Sequence, residues 1–143
     1  MTEMILEIAR RMVDAALAKS AELKIKPLAV AVLDARGCLK AFAAEDGTSL
    51  LRAEVAHGKA YGALALGVGS RAIFKRAQDQ AFFVDAVNTL ARGAIIPVPG
   101  GVLIETPAGQ LVGAIGISGD TSDNDEICAL AAIAAVGLKG NTG

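Results

Sequence analysis

The chain contains one histidine, His57, with Glu54 three residues before it and Tyr61 four after. If this segment is helical, carboxylate, imidazole and phenol share one face. An imidazole there can move protons near neutral pH or ligate a metal, with Glu54 or Tyr61 orienting the ring. It can equally be a part-exposed helix residue with one local hydrogen bond. Cys38 and Cys128 stand far from His57 in sequence and form no Cys-x-x-Cys pair, so a nitrogen-and-sulfur zinc set lacks partners. Both thiols read as small buried side chains. Lys59 lies about 160° round the helix from His57. It either buries its stem and sends its charge to water or anchors a carboxylate or phosphate. Asp120, Asp123, Asp125 and Glu126 lack the spacing of a calcium loop. They are expected to complement a helix dipole, with Asp123 and Glu126 as a capping box. Ser118 lacks a Gly-x-Ser-x-Gly setting, which removes a serine hydrolase. Gly100 and Gly101 permit close approach of backbone to a ligand.

These residues need elements to hold them. Ile5, Ile8, Ala9, Met12, Ala16 and Leu23 recur at helical spacing, which predicts an amphipathic helix over about residues 3–24, ended by Pro27. Leu28 to Leu33 is a short apolar run closed by Asp34-Ala35-Arg36-Gly37, and Cys38 to Ala44 returns as the second strand of a hairpin. Helical spacing resumes from Leu50 to about Gly67. Gly58 and Gly62 each cost this helix about 1 kcal/mol, so close packing or a ligand against its backbone must compensate. Residues 70–91 predict one or two short helices bearing Phe74, Phe82 and Phe83. A second hairpin follows, Val102 to Glu105 and Leu111 to Ile117, and then a helix whose stripe is Ile127, Leu130, Ala134 and Leu138. Residues 140–143 read as a flexible tail after a single domain over 1–139. This order predicts an α+β domain, an antiparallel sheet with helices on both faces.

The 143 residues are 53% hydrophobic but only 3% aromatic, and about a fifth are Ala. Apolar surface made of such small side chains suggests a homo-oligomer. A net charge of -1 gives no basic footprint for nucleic acid. Uncharged stretches fall short of the roughly 18 residues of a membrane span. With Glu3, Glu7, Arg10 and Arg11 interrupting the start, no export signal is expected and a cytoplasmic home is the default.

Several motifs together resemble a known family. Pro27 to Asp34 with Gly37, Asp46-Gly47, Lys59-Ala60, Pro99-Gly100-Gly101-Val102, and Val112-Gly113-Ala114-Ile115-Gly116-Ile117-Ser118-Gly119 followed by Asp125-Glu126 look like the GlcG/HbpS family, which includes the C-terminal domain of PduO-type proteins. The resemblance implies a profilin-like fold with a five-stranded antiparallel sheet, assembly into dimers or larger rings, a place beside catabolic pathways, and haem binding. A first reading is a small-molecule or haem-binding protein: a small-residue floor, a few aromatics and one imidazole suit haem or another flat apolar cofactor lying over Gly58 and Gly62 against Phe74, Phe82 or Phe83, with His57 as axial ligand, Tyr61 beside it and Lys59 near a propionate. A second reading is an isomerase, hydratase or lyase of a small organic acid. His57 would then be acid/base, with Lys59 and the Gly100-Gly101 backbone holding the carboxylate. A third is an oligomeric interaction protein without a ligand of its own.

Overall fold

The computed structural model describes residues 3–143. Helix α1 (Leu6–Leu23) buries Ala9, Met12, Val13, Ala16 and Ser20, the one-sided spacing of an amphipathic helix. Its end is set by Lys24, which takes a left-handed conformation at φ 55. Strands β1 (Ala29–Asp34) and β2 (Leu39–Ala44) form the first hairpin. The Asp34 carboxylate accepts from the Arg36 and Cys38 amides, and Gly37 supplies the positive φ of the turn.

Helix α2 (Arg52–Leu66) is followed by α3 (Ser70–Asp79) and α4 (Ala81–Leu90), which divide at Gln80. Strands β3 (Gly101–Glu105) and β4 (Leu111–Ser118), helix α5 (Ser122–Ala135) and strand β5 (Lys139–Asn141) complete the chain. The strands form one antiparallel sheet in the order β2-β1-β4-β3-β5. It is a profilin-like α+β architecture, as the sequence predicted. Its fifth strand, however, joins Lys139 to Gly140 and Asn141 of the expected tail. Leu103, Ile104 and Glu105 of β3 pair with Asn141, Gly140 and Lys139, so the edge backbone of β3 finds partners there. No helix of the described residues is long and apolar enough to cross a membrane.

The two faces of the sheet are built differently. On one, α1 and α5 cover Val30, Val32, Val102, Ile104, Ile115 and Ile117, with Met12 and Ile133 filling the core between them. On the other, α2 lies on Ala29, Ala31, Leu33, Leu103 and Ala114 through Ala56, Ala60 and Ala63. The contact is backbone on backbone. A Cβ at Gly116 would run into the Ala56 carbonyl and the Ala60 amide, and one at Gly101 into the Lys59 carbonyl. Much of the surplus of small residues that suggested association is therefore spent inside one subunit, on seating a helix directly upon a sheet.

Candidate functional site

Helix α2 carries every chemical group singled out between Glu54 and Tyr61, and its seating decides where each side chain goes. From β3 toward β1 across the sheet, the backbone of Lys59 meets Gly101, Ala56 and Ala60 meet Gly116, and Ala56 packs with Ala29 and Ala31. At 100° per residue this progression continues to Ala53, Leu64 and His57, on the flank that faces β1 and β2. Lys59 and His57 thus leave opposite flanks of the helix.

Lys59 is only 2% exposed and its Asp125 partner 1%. The ammonium donates to the Ile117 carbonyl at 2.8 Å and to Asp125 Oδ2 at 3.0 Å, while Asp125 Oδ1 accepts from the Asp120 amide. Burial lowers the Lys59 pKa from its ordinary value, and the Asp125 carboxylate offsets part of that. Beside the pair, Arg52 donates to buried Ser118 Oγ at 3.0 Å, and Ser70 Oγ accepts from the Gly101 amide at 2.8 Å. These bonds tie α2, α3 and α5 to the adjoining ends of β3 and β4.

Several site expectations change accordingly. Lys59 is neither a snorkelling surface cation nor an open anchor; it is a buried internal ion pair. Gly100 and Gly101 pack against Lys59 itself rather than leaving room for a ligand. Gly58 and Gly62 are covered by the segment before β3: a Cβ would fall 2.5 Å from Ile96 Cγ1 at the first and 2.9 Å from Ile95 Cγ2 at the second. Packing compensates those two glycines, and their backbone is not open to a flat ligand. The phenylalanines do not gather there either. Phe83 sits beneath the Arg76 guanidinium at 3.9 Å, Phe74 lines a hollow of about 260 Å³ with Arg71 and Pro99, and Phe82 is 74% exposed.

The acidic cluster divides. Thr121, rather than Asp123, caps α5 by accepting from the Asn124 amide. Asp123 and Glu126 both hold Arg71, and Asp125 points inward to Lys59. Asp120 accepts from the Asn124 side chain and from the Thr121 and Lys26 amides, which holds its carboxyl at about 2. Cys128 is buried and its thiol is pushed up to about 11 by burial and then by Asp125, but Cys38 is exposed, contrary to expectation.

His57 is half-buried, stacked on Tyr61 with ring centroids 6.2 Å apart, and Glu54 is exposed beside it. Among the described residues no hydrogen-bond partner holds the imidazole. The strand toward which this flank looks is β2, whose α2-side face carries Leu39, Phe42 and Ala44, all exposed. Sequence reasoning missed both this face and the Asp125 partner. Leu39 and Phe42 share a side because an irregularity at Lys40 breaks the alternation of the strand. Lys59 does carry a signal, since a cation next to the buried stripe Ala56, Ala60 and Ala63 demands a buried anion.

The fold and this site define a small α+β domain in which a locked polar core holds one helix flat on a sheet and turns a single free imidazole outward. A family model described as "Haem degrading protein HbpS-like" matches residues 4–134, so the chain belongs to the HbpS-like family. Solved structures agree. The chain is similar to the protein in "Crystal Structure of PduOC:Heme Complex" (24% identity, TM-score 0.87, covering 98% of this chain and 99% of that one). It is also similar to HbpS (25% identity, TM-score 0.79, 94% and 90%) and to the Klebsiella pneumoniae protein ORFY (22%, 0.84, 95% and 92%). No curated protein is close enough in sequence to count as a relative.

Proposed function

We propose that this HbpS-like chain binds haem, with the His57 imidazole as an axial ligand and Tyr61 steadying the ring. The observation that carries the reading is the free His57 side chain on an open flank of α2. Its donor chemistry fits the group. Haem iron asks the protein for as little as one axial nitrogen, which a lone imidazole supplies. Two other donors are withdrawn from the surface: Cys128 is buried and its thiol is disfavoured as a thiolate, and the Lys59 ammonium is held by Asp125. The solved PduOC complex with haem supports the same reading through a shared fold.

The organic-acid enzyme needs His57 and Lys59 in one pocket. The two leave opposite flanks of α2, and Lys59 is buried, so no observation favours it. Assembly as a dimer or larger ring, a cytoplasmic home and a place beside a catabolic pathway complete the proposal. Assembly draws support from Leu50, Leu51, Phe82 and Leu90, which are 60–89% exposed.

Haemin titration of the wild type and of His57→Ala tests the proposal. Wild-type protein should give a saturable, shifted Soret band, and the variant a different band or none. Identical spectra would remove His57 from the role, and no binding by either protein would leave an interaction protein without a ligand.

A further inference from the structure

Haem ligated from the flank of a helix needs a surface to lie against, and the covered Gly58 and Gly62 do not offer one. We infer that the α2-side face of β2, formed by Leu39, Phe42 and Ala44, is the floor under the haem macrocycle, with the His57 flank of α2 as its wall; this rests on the haem reading above.

Three observations meet here. First, β2 is covered by α1 on one side only. Ala41 and Ala43 pack into the α1 core, whereas Leu39 and Phe42 are 52% and 42% exposed on the other side. Second, the registers match. Phe42 pairs with Ala31 and Ala44 with Ala29, the two β1 residues that pack with Ala56, and Leu39 pairs with Leu33, which packs with Ala60, Ala63 and Leu64. His57 follows Ala56 on the flank that overlooks this row. The result is a ledge, apolar below and carrying one nitrogen donor at its side. That is the combination a flat apolar ligand with a metal at its centre requires.

Third, the edge of β2 is poorly suited to another strand. Lys40 sits in a register irregularity, and a bulge bearing a cation is a common way of blocking strand addition. Strand addition along this edge therefore does not compete with a ligand on the face.

The test compares haemin, read by the Soret band, with iron-free protoporphyrin IX, read by quenching of its fluorescence. Both are titrated into wild type, His57→Ala, Phe42→Asp and, as a control on an exposed apolar residue of α5 across the sheet, Ile127→Asp; circular dichroism confirms folding, and Leu39→Asn stands in if Phe42→Asp does not fold. Loss of the apolar floor should weaken both probes about tenfold or more in Phe42→Asp. His57→Ala should change the haemin spectrum yet leave protoporphyrin IX within about threefold of wild type, and Ile127→Asp should bind both probes like wild type. If haemin binds through His57 but Phe42→Asp and Leu39→Asn bind both probes like wild type, the floor is wrong while the haem reading stands. If wild type takes up no haemin, the haem reading fails and the floor falls with it.

Discussion

Replacing Asp125 by Ala would leave the Lys59 ammonium buried against the Ile117 carbonyl with no counter-charge. Lys59 is 2% exposed and packed between α2, β4 and Gly100, so water cannot reach it without opening the helix-sheet contact. Breaking a buried ion pair from one side costs about 3–5 kcal/mol. Over 143 residues, an unfolding entropy of roughly 2.1 cal/mol/K per residue converts this into a fall in Tm of about 10–17 °C. Thermal and urea unfolding followed by circular dichroism would measure it. The double variant Lys59→Met, Asp125→Leu removes both charges and should recover at least part of the loss; the Asp120 amide and Ile117 carbonyl still lose a partner. The pH dependence gives an independent check. Lys59 already has a folded pKa below its unfolded value of 10.5, and losing Asp125 lowers it further. Between the folded and unfolded values the unfolded chain binds more protons, so Asp125→Ala should gain stability as pH rises through that window. A loss under about 1 kcal/mol with a flat pH profile would mean that the ammonium swings into water, and the account of the locked core would be wrong.

Other outcomes follow from the same geometry. Gly116→Ala places a methyl against the Ala56 carbonyl and should cost about 1–3 kcal/mol or more in urea denaturation, whereas Gly109→Ala meets nothing within 4 Å and suffers only its backbone strain at φ +91. Asp120 has a folded pKa of about 2 against 3.8 unfolded, so its contribution is complete above pH 3.8 and is lost as pH falls toward 2. Acid titration of stability should therefore show the gap between wild type and Asp120→Asn closing over that range. A thiol reagent added to native protein should modify exposed Cys38 quickly and buried Cys128 only on unfolding, which counting modified thiols by mass spectrometry would check.

Local patterns carried most of the fold. The apolar periodicity around Met12, the runs on either side of Gly37 and the hairpin before Ser118 each mark an element within a few residues of its observed bounds. What local pattern does not carry is partnership across the chain. Gly140 and Asn141 look like a tail because only the free edge of β3 makes them part of a strand. Lys59 and Asp125 are 66 residues apart, and the charge of either reads equally well as surface or core until the other is known. The small residues of α2 were legible as a sign of close approach, but the approaching partner is the sheet backbone at Gly101 and Gly116. For the site, His57 stands out as the only imidazole, whereas the β2 face beside it is hidden by the irregularity at Lys40.

In the proposed reading the free His57 imidazole ligates the haem iron. Resonance Raman spectroscopy of the ferrous haem complex tests it most directly, through the iron–imidazole stretching band. That band should be present in wild-type protein and lost in His57→Ala, and it should return when imidazole is added to the variant. A complex whose iron–ligand vibrations are the same with and without His57 would contradict it.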